Sequence, residues 1–158
     1  VVNKNERQVA FVFRFITLFG DYKIKGLTKN SIKSNEEKEE LVNMYIQKFG
    51  AYYKSILASD EATKYYIFSD SDYFTSSLKE QFSELIVLHD GNRRFFSDIE
   101  QNTSKAVSML NRIAFDFYFL SKCTQIVHFI DGKHLYSSGF PLHASFLSKK
   151  ENYRKIIL

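Results

Sequence analysis

The apolar positions of the chain alternate between two spacings. Gln8 to Leu18 is a continuous run of Phe, Val and Ile broken only by Arg14 and Thr17. Such a run predicts a buried strand, ended by Gly20-Asp21 and followed by a polar loop over residues 21–33. Ser34 and Glu37 then fit a capping box. Leu41, Tyr45, Phe49, Tyr52 and Ile56 recur every three or four residues, predicting a long amphipathic helix over 35–57. Tyr65-Tyr66-Ile67-Phe68 is a second strand, stopping at Ser69-Asp70-Ser71-Asp72. Phe74, Leu78 and Phe82 mark a short helix, and Leu85-Ile86-Val87-Leu88 a third strand that His89-Asp90-Gly91-Asn92 breaks. After a polar loop with Arg93 and Arg94, residues 104–121 form a second long helix with Val107, Leu110, Ala114, Phe117 and Ser121 on one face. A strand over 125–130, a helix over 138–147 and a strand over 153–158 complete the pattern.

Strands that alternate with helices imply right-handed crossovers and a parallel sheet covered on both faces. The expected fold is therefore α/β: a doubly wound, Rossmann-like sheet forming one domain over residues 1–158. In such folds ligands sit beyond the C-terminal ends of the strands. That edge gathers Arg14 with Gly20-Asp21, Ser69-Asp70-Ser71-Asp72, His89-Asp90-Gly91, and Asp131-Gly132-Lys133-His134 leading into Tyr136-Ser137-Ser138-Gly139-Phe140.

Each cluster carries two readings. Arg14 interrupts an apolar run, and a buried arginine needs a partner. It is either a phosphate ligand, whose fork of donors matches a diphosphate, or a structural charge, exposed on an edge strand or paired with an acid such as Asp116. Ser69-Asp70-Ser71 is either an N-cap or a contact to a ribose or base. Ser137-Ser138-Gly139-Phe140 opens a helix, which makes it a plain cap or an anion site; Gly139 would let a ligand approach the backbone. Asp116, inside an apolar helical run, calls for a partner of its own.

Composition narrows the classes. Hydrophobic residues are 44% and charged residues 25%, ordinary for a globular domain. The net charge of +4 suits a phosphate-bearing ligand or peripheral contact with an anionic membrane. The basic residues form no stripe of the kind that binds nucleic acid. Cys123 is the lone cysteine, so no internal disulfide supports the fold. This favours a cytoplasmic setting, at most at the inner face of the membrane. No apolar run reaches the ~18 residues of a membrane span. The four histidines lack zinc-type spacing, so no metal or other cofactor is expected. Neither GxGxxG nor GxxxxGK[ST] occurs. A receiver-like signalling domain would need an acidic cluster at the first strand end, which Asp21 alone does not supply. The chain starts at Val1 rather than Met and opens on polar residues before a strand, which suggests a piece of a longer protein.

Four segments together resemble a known family. Val12-Phe13-Arg14-Phe15 with Leu18-Phe19-Gly20-Asp21 is similar to an HxR strand with a downstream Gly-Asp. Ile67-Phe68-Ser69-Asp70-Ser71 is similar to a V-x-S-D-S strand end. The helix Phe115-Asp116-Phe117-Tyr118-Phe119-Leu120-Ser121-Lys122-Cys123 and the loop Ser137-Ser138-Gly139-Phe140-Pro141-Leu142-His143-Ala144 resemble the C-terminal elements. This set, spanning residues 8–147, resembles the fucosyltransferase superfamily and related bacterial surface-glycan glycosyltransferases of polysaccharide biosynthesis. The resemblance implies the C-terminal half of a GT-B fold and inverting, metal-independent transfer from a GDP-fucose-like nucleotide sugar to a glycan. The acceptor domain would lie upstream. It also implies that Arg14 contacts the diphosphate, with Gly20 and Asp21 following it in the motif. Asp70 and Ser71 would then lie near the base or ribose, Ser137, Ser138 and Gly139 near the phosphates, and Asp116 behind the pocket. Val12 stands where that motif has histidine, which removes one hydrogen bond from the implied site. A nucleotide-binding domain without transfer activity is the alternative that this departure supports.

Overall fold

A computed structural model describes residues 6–16, 18–19, 32, 34–57, 63–88, 103–148 and 151–158. Five strands and four helices alternate: β1 (Arg7–Phe13), α1 (Asn35–Ile56), β2 (Thr63–Ser69), α2 (Asp72–Gln81), β3 (Ile86–Val87), α3 (Thr103–Lys122), β4 (Gln125–Ile130), α4 (Gly139–Leu147) and β5 (Tyr153–Ile157). All neighbouring strands are parallel, in the order β3-β2-β1-β4-β5. This is the doubly wound, Rossmann-like α/β sheet that the alternation predicts. The order reverses between β1 and β4, so β1 is central and the switch point lies at its C-terminal end.

The pleat of β1 sends alternate residues to two cores. Phe11 and Phe13 face α1 and α2, joining Phe49, Tyr53, Phe74, Phe129 and the following Phe15 in one buried cluster. Its rings meet edge-on, as in Phe11–Phe49 with centroids 5.1 Å apart, tilted, as in Phe15–Phe74 at 4.7 Å, or stacked, as in Phe13–Phe129. A Cβ on Gly50 would stand 3.0 Å from the tip of the Phe82 ring, so glycine lets that ring lie against α1. Ala10 and Val12 face α3 and α4, beside Tyr66, Phe68, Leu120, Cys123, Ile126 and Ala144.

Helix starts follow the capping chemistry. Ser34 accepts from the Glu37 N–H at 3.2 Å, while its own hydroxyl donates to the Glu36 carboxylate. Ser71 caps α2 by accepting from Phe74 N–H, and Ser138 caps α4 by accepting from Phe140 N–H.

Two strands are shorter than their apolar runs. β1 ends at Phe13, not at Leu18. Ile16 takes φ of 58°, a left-handed conformation that a β-branched residue adopts only when held there. β3 keeps two paired residues of the apolar four. Gly20, Asp21 and the His89-Asp90-Gly91 cluster lie outside the described residues. Among the described residues, no helix is long and apolar enough to cross a membrane.

Candidate functional site

The ends of β1 and β2 are tied together by Asp70. One carboxylate oxygen accepts from Phe15 N–H at 2.8 Å, and the other from Ile16 N–H at 2.9 Å. The second oxygen also lies 3.8 Å from Arg14 Nε. Asp70 is 9% exposed, and the Arg14 side chain is 34% exposed. A buried carboxylate is thus matched by two backbone donors and a cation, as its desolvation requires. Arg14 is the first residue past β1, not a member of it, and its carbonyl accepts from Tyr136 N–H at 2.9 Å. That bond fastens the segment before α4 to the end of the central strand. Arg14, Asp70, Ser69, Ser71 and the start of α4 therefore share one edge of the sheet, at the switch point.

Within that edge Ser69 and Ser71 are buried and locally engaged. Ser71 N–H donates to Ser69 Oγ at 3.1 Å, and Ser71 Oγ serves the cap of α2. Asp116 is half-buried on α3. Its neighbour Phe117 meets Phe140 ring to ring at 5.2 Å, so this turn of α3 backs onto the first turn of α4. Phe140 belongs to the α3/α4 core. Ser137 and Gly139 are exposed. A Cβ on Gly139 would sit 3.2 Å from the His143 ring, which lies over that first turn.

The donors at the start of α4 can be counted. A helix leaves its first N–H groups without internal partners. Here Phe140 N–H is taken by Ser138, and Pro141 has none. The first turn therefore offers an anion the Gly139 N–H, and among the described residues Arg14 adds a positive charge at this edge.

Four further residues were not singled out as site residues from sequence. Asp131 closes the turn after β4. Its Oδ1 accepts from the N–H groups of Lys133, His134 and Leu135 at 2.7–2.8 Å, and its Oδ2 accepts from the Tyr45 hydroxyl. Burial alone would raise its pKa, but the hydrogen bonds from Tyr45 and the three amides win and pull it down to about 2. The Tyr45 phenol, buried and donating to that carboxylate, is pushed well above its ordinary value. Tyr45 Oη also lies 3.0 Å from His134 Nδ1. His128, level with Val12 across the sheet, is fully buried with Nδ1 2.9 Å from the Tyr153 hydroxyl. Desolvation, reinforced by Lys155 and Arg14, brings it down to about 4 despite an opposing pull from the Tyr136 backbone. A strand-end Asp-Gly was visible in the sequence as a turn; Tyr45 carries the same helical spacing as its core neighbours and gave no separate signal. Among the described residues, no group of three His, Cys, Asp or Glu could hold a metal ion.

A parallel sheet with this strand order, with charged groups gathered at the switch point, defines a Rossmann-like domain of the kind that forms half of a GT-B fold. Two solved structures are similar over 91% of this chain: NodZ α-1,6-fucosyltransferase co-crystallised with GDP, at 12% identity and TM-score 0.51, and fucosyltransferase NodZ from Bradyrhizobium, at 10% identity and TM-score 0.52. The likeness is one of fold, and the chain spans 36% of the length of each. No protein-family model and no curated protein sequence matches the chain.

Proposed function

We propose that this chain is the donor-binding half of a glycosyltransferase. It would hold a GDP-fucose-like nucleotide sugar for inverting transfer to a hydroxyl of a glycan, with the glycan bound by an upstream domain. The observation that carries the reading is the position of Arg14: first residue past the central strand, at the switch point, braced by Asp70 and bonded through its carbonyl to the segment that starts α4. The likeness to a fucosyltransferase crystallised with GDP supports the nucleotide class. In such a transfer the departing diphosphate gains negative charge. A fixed guanidinium facing it lowers the barrier, with one preorganised donor worth ~3 kcal/mol.

By this reading Arg14 meets the diphosphate, with Gly139 N–H as a second donor. Ser137 lies near the phosphates, and Asp70 acts by holding Arg14 and the turn in place. Gly20 and Asp21 would contribute to donor binding, and Asp116 would back the pocket from α3. No step calls for a metal or a resident cofactor. A domain that binds a nucleotide without transfer is the second reading, favoured by the few free donors at the start of α4.

The test is release of nucleoside diphosphate from GDP-fucose and from other nucleotide sugars by the full-length protein. Turnover of one guanine-bearing donor is the expected result. Binding of nucleotide with no turnover of any donor would leave the second reading standing.

A further inference from the structure

The Tyr45–Asp131–His134 cluster fixes more than a turn. The Asp131 carboxylate takes three backbone N–H groups on one oxygen, so it is held as the anion and accepts only. The Tyr45 hydroxyl has one proton, and it goes to Asp131 Oδ2. What Tyr45 Oη turns toward His134 is then a lone pair. At 3.0 Å, His134 Nδ1 must be the donor. The chain of donors is therefore His134 Nδ1–H to Tyr45 to Asp131, and the neutral ring carries its free lone pair on Nε2.

That lone pair lies on the outer side of the ring. Tyr45 is fully buried and holds the Nδ1 edge, whereas His134 is partly exposed. His134 stands two residues before Tyr136, whose N–H is bonded to Arg14. Two residues reach at most ~7 Å, so His134 and Arg14 stand on the same strand-end edge. Among the described residues, the other charged groups acting on this cluster are Lys133 on the same loop and Lys48, whose ammonium lies 6.0 Å from the Tyr45 ring. Burial and Lys133 lower the pKa of the imidazole against the pull of Asp131.

We propose that His134 is the general base of the transfer, taking the proton of the incoming hydroxyl on Nε2. The inference rests on the transferase reading above. In the step, the hydroxyl proton passes to Nε2 and the hydroxyl oxygen bonds to the anomeric carbon. The bond from that carbon to the diphosphate breaks, and its electron pair leaves with the nucleoside diphosphate. The imidazolium that forms is stabilised by Asp131 through Tyr45, in the manner of a base oriented by a third group.

The experiment measures GDP release from GDP-fucose against pH for the full-length protein, His134→Gln and Tyr45→Phe, with GDP affinity measured alongside. His134→Gln should lower kcat about 100-fold or more and remove the acidic limb of the pH profile. GDP affinity should stay within about threefold. Tyr45→Phe should keep the limb but shift it, at a smaller loss in kcat. In protein labelled with 15N-histidine, His134 should show a protonated Nδ1 and a bare Nε2, and Tyr45→Phe should release that preference. Turnover by the wild type that His134→Gln retains within a few-fold, or a protonated Nε2 in the wild type, would overturn the inference alone. A wild type that turns over no nucleotide sugar would remove the transferase reading and this inference with it.

Discussion

Asp70 holds Ile16 in a left-handed turn: the carboxylate of one accepts the backbone N–H of the other at 2.9 Å, two residues beyond Arg14. Left-handed backbone costs a β-branched residue about 1–2 kcal/mol, so the turn persists because Asp70 takes both N–H groups it exposes. Removing the carboxylate leaves one buried and one part-buried donor unmatched. Asp70→Ala should destabilise the fold by about 2–4 kcal/mol, read as a lower denaturation midpoint at unchanged slope. A loss under ~0.5 kcal/mol would mean that the turn holds itself.

His128 makes stability depend on pH. The folded protein holds its ring at about 4, below the ordinary 6.5. Between those values the unfolded chain binds more protons, so stability is full above pH 6.5 and falls as pH drops toward 4. Each pH unit inside that window removes up to ~1.4 kcal/mol. Denaturation from pH 7 to 4 should show this slope in the wild type and a flatter one in His128→Phe. Equal slopes would assign the acid sensitivity to other groups.

Asp131 acts at lower pH and with the same sign, since its folded pKa also lies below the unfolded one. Its pKa is held near 2 against the usual 3.8. The stability it contributes is present above pH 3.8 and lost as pH falls through 2, about 2 kcal/mol in all. Asp131→Asn should remove most of that contribution at pH 7 and leave stability nearly equal to wild type below pH 2.

Cys123 should be chemically silent in the native state. It is fully buried, and burial pushes its thiol up to about 12. A maleimide at pH 8 should label it only on the timescale of unfolding, and rapidly in denaturant. Fast native labelling would contradict its placement between α3 and the sheet.

Much of the architecture was legible from spacing. The alternation of apolar runs gave the Rossmann-like class, and β4 occupies the very residues that its run marked. The end of β1 was not legible, because Phe15, Ile16 and Leu18 are as apolar as the strand. What stops the strand is Asp70, 54 residues away from Ile16. The candidate site divides in the same way. Arg14 and the Ser138 cap announce themselves locally, one as a charge in an apolar run and the other by capping chemistry. Tyr45 does not, since its hydroxyl matters only once β4 brings Asp131 and His134 beside α1. The weak anion-binding capacity of α4 could have been read from Pro141, which removes a donor that the Ser-Gly-Phe sequence otherwise suggests.

The central claim is that a nucleoside diphosphate binds at Arg14, and ligand-induced thermal stabilisation tests it most directly. Wild type and Arg14→Ala are melted with and without GDP, UDP, CMP and ADP, and each variant is compared with its own ligand-free Tm. A ligand at 100 times its Kd adds ~2.7 kcal/mol, worth roughly 5–10 °C for a domain of this size. The expected result is such a shift with GDP in the wild type and its loss in Arg14→Ala, with the ligand-free melt still cooperative. No shift with any of the four nucleotides, or an equal GDP shift in Arg14→Ala, would contradict the account.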